Sequence, residues 1–138
     1  MFKKYRWLVV LTLFFAMLIN YLDRSALSIA APLLSKEFDL TPSQMGMVFS
    51  SFFIGYAVFN LIGGYIADKY GARLVLACSM LIWSLFCGLT TLATGLTSLL
   101  VIRFFFGVGE GPIAAATNKL VYNWFPTNER TRAMSYAL

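Results

Sequence analysis

Long uncharged runs constrain this chain more than any other feature. Trp7 to Leu22 carries no charge over 16 residues, and after Asp23 and Arg24 the apolar stretch continues from Ser25 to Ser35. Leu40 to Ala67 is 28 uncharged residues and Leu74 to Ile102 is 29. Arg103 to Trp124 is apolar apart from Arg103, Glu110 and Lys119. A helix that crosses a bilayer needs about 20 apolar residues. The runs predict four membrane spans, at about 7–34, 44–67, 74–94 and 97–121, with 133–138 as the start of a fifth helix. Thr41-Pro42-Ser43-Gln44 reads as a helix start, with Thr41 or Ser43 as the cap and proline in the first turn. Thr94 to Ser98 reads as the turn between the third and fourth spans. The fold expected is all-α and integral to a membrane.

Composition agrees with this reading. In 138 residues, 59% are hydrophobic and 12% charged, where a soluble domain has about 25% charged. A soluble enzyme, a disordered chain and a disulfide scaffold are excluded on that ground. The two cysteines, Cys78 and Cys87, fall in one apolar run. Nine residues of helix separate them by about 13 Å on opposite faces, too far for a disulfide. The absence of histidine removes the commonest metal ligand and general base. No nucleophile–base pair, metal cluster or phosphate loop is visible, so neither an enzyme nor a resident cofactor is expected. The first run resembles a signal peptide, but its core is long and no small-residue cleavage site follows before Asp23, so it is expected to remain as a span.

The net charge of +5 is a topology signal and not a nucleic-acid one. Lys3, Lys4, Arg6, Lys69, Arg73, Lys119, Arg130 and Arg132 lie on one side of the predicted spans, and Lys36 alone on the other. The positive-inside rule puts both ends and the second loop in the cytoplasm of a plasma (inner) membrane.

Four charges remain inside the spans: Asp23, Arg24, Arg103 and Glu110. Each costs about 2.5–3.5 kcal/mol at a helix centre on insertion scales, so each must face something other than lipid. Mutual pairing between helices is one explanation, and a polar path through the bundle is the other; the two are compatible. Arg103 and Glu110 are seven residues apart and return to one helix face. Gly107, Gly111 and Ala115 share that face at four-residue spacing, which lets a neighbouring helix approach closely. Tyr56 and Asn60 add a polar stripe to the second span. Asp23 and Glu110 are the candidates to carry a proton, and Arg24 and Arg103 suit a carboxylate substrate. These are the parts of an anion–proton symporter, and sodium coupling is left open.

Gly64-Tyr65-Ile66-Ala67-Asp68-Lys69-Tyr70-Gly71-Ala72-Arg73 resembles the signature between the second and third helices of the major facilitator superfamily, departing from it at Ala72. Arg103-Phe104-Phe105-Phe106-Gly107-Val108-Gly109-Glu110-Gly111 resembles that family's fourth-helix signature. Asn20-Tyr21-Leu22-Asp23-Arg24, Gly109-Glu110-Gly111-Pro112 and Trp124 to Arg130 together resemble the anion:cation symporter branch, which includes galactonate and hexuronate transporters. The resemblance implies the first four helices of a twelve-helix fold and the start of a fifth. It implies proton coupling at Asp23 and Glu110. It implies substrate contacts at Tyr21, Arg24, Tyr56 and Arg103. In the loop motif, Gly64 is expected to allow a close helix crossing, and Asp68, Lys69, Gly71 and Arg73 to form the cytoplasmic gate. The implied partners are a small organic anion (a sugar acid such as a hexonate or hexuronate), the lipid bilayer and the remaining carboxy-terminal helices. The chain is therefore expected to be a piece of a longer transporter, inactive alone. The alternatives are a drug or solute exporter of the same superfamily and a self-contained four-helix membrane protein.

Overall fold

The computed structural model describes residues 2–138, with side chains from Tyr5 onward; the side chains of Lys3 and Lys4 lie outside the described residues. Six α-helices follow one another: α1 (Phe2–Glu37), α2 (Pro42–Tyr70), α3 (Ala72–Leu89), α4 (Leu96–Glu110), α5 (Ile113–Trp124) and α6 (Thr127–Ala137), with a 3₁₀ turn at Thr90–Leu92. Four stretches are long and apolar enough to cross a membrane: Tyr5–Glu37, Pro42–Tyr70, Ala72–Leu92 and Leu96–Trp124. They extend beyond the apolar runs into flanking polar residues, because backbone hydrogen bonding continues where the hydrocarbon ends. The last helix likewise begins at Thr127, ahead of the apolar residues from Ala133 onward.

Local chemistry sets the ends. Thr41 caps α2: its hydroxyl accepts from the Gln44 N–H, and the Gln44 side chain accepts from the Thr41 N–H at 2.9 Å, a reciprocal capping box. Asp39 takes a left-handed conformation, φ 49°, as Leu40 N–H closes on Ser35 C=O at 2.9 Å and ends α1. Gly71, at φ 89°, reverses α2 into α3 within a single residue, a conformation that a side chain would strain. In the Gly95 turn, the Ser98 hydroxyl accepts from the N–H groups of Thr94 and Gly95.

The fourth span is the centre of the bundle. Of its most apolar window 56% is buried, against 22–28% for the other three. It is interrupted at Gly111–Pro112, where both residues keep right-handed helical angles. Pro112 has no N–H to offer the Val108 carbonyl, so the ladder breaks there while the chain direction is kept. Glycines bring α4 against its neighbours. A Cβ on Gly107 would collide with the Phe52 carbonyl oxygen, and one on Gly55 with that of Phe104. At Gly111 a Cβ would lie 2.8 Å from the Asn60 nitrogen, and at Gly109 it would lie 2.7 Å from the Trp83 nitrogen. One face of α4 is thus seated on α2 and another on α3.

Three apolar clusters stack along the bundle. Met45, Val48 and Leu99 fill one end; Phe52, Trp83, Phe106 and Ile113 the middle; Val10, Leu13, Val75, Leu120, Val121 and Phe125 the other end. The outer surface is as apolar as the core, with Leu61 85% and Ile29 77% exposed, as a lipid-facing surface requires.

Replacing Gly107 by Ala is expected to lower stability by about 1–3 kcal/mol, since two backbones must separate. The same change at Gly46, where a Cβ meets open space, is expected to be neutral or stabilising. Thermal unfolding midpoints of the two variants in detergent check this contrast.

Candidate functional site

The four charges inside the spans come from two helices. On α1, Asn20, Asp23 and Arg24 fall at i, i+3 and i+4, one face of the helix. On α4, Arg103 and Glu110 are two turns apart on the face that also carries Gly107 and Gly111.

The Glu110 side chain is fully buried, and its Oε2 accepts from Arg24 Nε at 2.7 Å. Its other oxygen, Oε1, has no hydrogen-bond partner. The Arg24 side chain is 31% exposed, and three rings frame its guanidinium: Tyr56 at 4.9 Å, Phe52 at 5.2 Å and Tyr21 at 5.9 Å. Each ring face attracts the cation. Tyr56 is half-buried, but Tyr21 is 60% exposed and meets Arg24 from outside.

Arg103 and Asp23 are not ion-paired with each other or with the first pair. Arg103 is 5% exposed and its Nε lacks a partner; its guanidinium lies over the Phe106 ring at 5.0 Å. Glu110, Asp23 and Cys87 are within its electrostatic reach. Asp23 is half-buried, and its Oδ2 accepts from the Trp83 indole N–H at 2.7 Å. Arg24 and Arg103 together line a small cavity of about 130 Å³, walled by Phe49, Phe52, Phe53 and Ser28. The cavity thus holds two guanidinium groups in apolar surroundings, and the Nε of Arg103 has no hydrogen-bond partner. Mutual pairing therefore joins two of the four charges, Arg24 and Glu110; Asp23 is held by an indole, and Glu110 Oε1 and Arg103 Nε are left without partners.

A model of the Major Facilitator Superfamily matches residues 13–138. The chain belongs to that superfamily. It is 56% identical over 130 residues to a hexuronate transporter of Bacillus subtilis, a match covering 94% of this chain and 31% of that protein. It is 42% identical over 132 residues to a probable anion transporter of the rice chloroplast, covering 94% of this chain and 22% of that protein. A probable L-galactonate transporter of Escherichia coli is 35% identical over 134 residues, with 97% of this chain and 30% of that protein covered. The chain thus spans about a third or less of the length of these relatives. It is a multi-pass membrane protein, and the relatives are named as transporters of anions.

The superfamily's loop motif meets α5 here. Asp68 accepts a charged hydrogen bond from Lys119 of α5, and the Arg73 guanidinium lies over the Trp124 ring at 5.7 Å. Lys69 sits over its neighbour Tyr70, and Gly71 makes the reversal. The close crossing expected at Gly64 is not made within this chain: a Cβ there meets nothing. The crossing falls one residue earlier, at Gly63, where a Cβ would sit 2.7 Å from Pro112 Cα. Gly63 points inward on α2 and Gly64 points away, as a 100° step requires. The Trp124–Arg130 segment closes α5: Arg130 donates to the carbonyls of Phe125 at 3.0 Å and Tyr122 at 3.2 Å, which satisfies helix-end acceptors. Arg6 of α1 reaches Glu129 at 3.4 Å, and Trp7 packs edge-on against Phe125.

Trp83 and Phe52 are site residues that sequence reasoning did not single out. A tryptophan or phenylalanine in an uncharged run carries no local signal of what it faces.

Replacing Arg24 by Leu is expected to destabilise the protein by about 3–5 kcal/mol, because it leaves the Glu110 carboxylate buried and unpaired. Adding Glu110→Gln is expected to recover most of the loss. Thermal unfolding of the two single variants and the double variant, compared as a cycle, measures the coupling.

Proposed function

We propose that this chain is the amino-terminal part of a proton-coupled symporter that carries an organic anion, a sugar acid of the hexuronate or hexonate class, across the bacterial plasma membrane. The observation that carries the reading is the buried Glu110–Arg24 pair beside a second, partnerless guanidinium. Relatives named for hexuronate and L-galactonate transport support the substrate class.

The chemistry follows from competition for Arg24. While Glu110 is ionised, Arg24 is held to it through its Nε. A proton on Glu110 removes the negative partner and leaves Arg24 and Arg103 free to grip a substrate carboxylate bidentately. Tyr21 and Tyr56, beside Arg24, offer hydroxyls to the sugar. Asp23, held by the Trp83 indole, is the second proton-carrying group. Binding the anion and binding the proton thereby favour each other, and their release on the opposite side follows the same logic in reverse. Intramembrane carboxylates and arginines in transporters serve such pathways. The whole cavity is completed by helices beyond this chain. Both ends and the second loop lie in the cytoplasm, a placement that rests on the lysine and arginine asymmetry.

In proteoliposomes of the full-length protein, uptake of labelled glucuronate, galacturonate and galactonate is expected to follow an imposed proton gradient and not a sodium gradient. Asp23→Asn and Glu110→Gln are each expected to cut gradient-driven uptake at least about tenfold, the scale of one lost charged hydrogen bond. Intact proton-driven uptake in both variants would overturn the coupling assignment. For topology, in a Cys78→Ser/Cys87→Ser background, Lys36→Cys is expected to react with a membrane-impermeant maleimide in intact cells, and Lys69→Cys only after the membrane is permeabilised.

A further inference from the structure

We infer that Trp83 is a positioning residue for proton coupling: its indole N–H holds Oδ2 of Asp23 and directs the proton to Oδ1. The inference rests on the reading of Asp23 as a coupling group. Trp83 Nε1 donates to Asp23 Oδ2 at 2.7 Å across the gap between α3 and α1, two helices whose backbones make little approach. An indole nitrogen donates and cannot accept. It therefore suits an ionised or carbonyl oxygen best, and a proton placed on Oδ2 would weaken the bond. Oδ1 is left as the site of protonation.

The donor is rigidly held. Trp83 is 4% exposed and sits in the middle apolar cluster with Phe52, Phe106 and Ile113. Its backbone lies against Gly109, where a Cβ would come within 2.7 Å of the Trp83 nitrogen. Gly109 immediately precedes Glu110. One turn of α4 therefore fixes both carboxylates, Glu110 directly and Asp23 through the indole. The titratable and charged groups around Asp23 are Arg103 and Glu110 from α4 and Cys87 from α3, with Arg24 adjacent on its own helix. Asp23, Trp83, Ser84 and Cys87 also line a cavity of about 380 Å³. A shift of α3 against α4 would move the donor and change how Asp23 takes up its proton.

The test uses the full-length protein in proteoliposomes and labelled glucuronate as the probe. Two readouts are compared: uptake driven by a proton gradient, and exchange with glucuronate on both sides and no gradient. Trp83→Phe keeps the aromatic mass and removes the N–H; 3-benzothienylalanine at position 83 keeps the bicyclic shape with sulfur in its place and serves if the phenylalanine variant does not fold. Either change is expected to lower gradient-driven uptake about tenfold and leave exchange within about twofold. In an Asp23→Asn background, adding Trp83→Phe is expected to leave exchange unchanged, because the group it positions no longer titrates. Wild-type gradient-driven uptake without the N–H overturns the inference, as does a parallel fall of uptake and exchange, which marks a merely structural role. Gradient-driven uptake that survives Asp23→Asn removes the coupling reading beneath it, a separate result.

Discussion

A carboxylate buried to zero exposure in an apolar bundle must find a cation, and much of this structure is arranged around that requirement. Glu110 lies in the middle of the most buried span, where an unpaired charge would cost several kcal/mol. Its partner comes from α1, a helix whose backbone barely approaches α4. The long guanidinium arm of Arg24 spans that distance, and the rings of Phe52 and Tyr56 hold it on course. The same α1 face delivers Asp23 to Trp83. Near the membrane midplane, two polar bonds join α1 to the α2–α3–α4 core.

The core itself is held differently. α4 meets α2 and α3 through glycine-lined contacts so close that backbones touch backbones. Such contacts are rigid and maximise dispersion between helices that gain no hydrophobic stabilisation from leaving lipid. The contrast between a tightly seated α4 and a polar-tethered α1 places the buried charges at the seam between two differently packed elements. A seam of this kind is where a change in protonation is translated most readily into relative helix movement. At the bundle end, α1 is secured again by Trp7 against Phe125 and by Arg6 with Glu129.

Much of this was legible in the chain before any coordinates. The four spans follow from uncharged runs, and the outlier charges within them mark Asp23, Arg24, Arg103 and Glu110 because lipid tolerates no unpaired ion. The four-residue spacing of Gly107 and Gly111 predicts a close approach by some neighbouring helix, and the structure shows that helix to be α2. Thr41, Pro42 and Gln44 predict the start of α2 from capping chemistry alone. Gly64 shows the limit: the motif marks a small residue, but only the rotation of α2 decides that Gly63 faces Pro112 and Gly64 faces away.

Sequence thus determined which residues must avoid lipid, which faces they share and where the helices begin, since these follow from spacing along one helix and from the cost of burying charge. Tertiary structure decided the partners. It paired Glu110 with Arg24 and not with Arg103, though Arg103 lies on its own helix face; it gave Asp23 an indole donor in place of an arginine; and it left Glu110 Oε1 and Arg103 Nε unmatched. Those choices depend on the lateral arrangement of α1, α3 and α4, which is set by glycine contacts and side-chain reach across 86 and 60 residues of sequence, and no periodicity within a single helix encodes them.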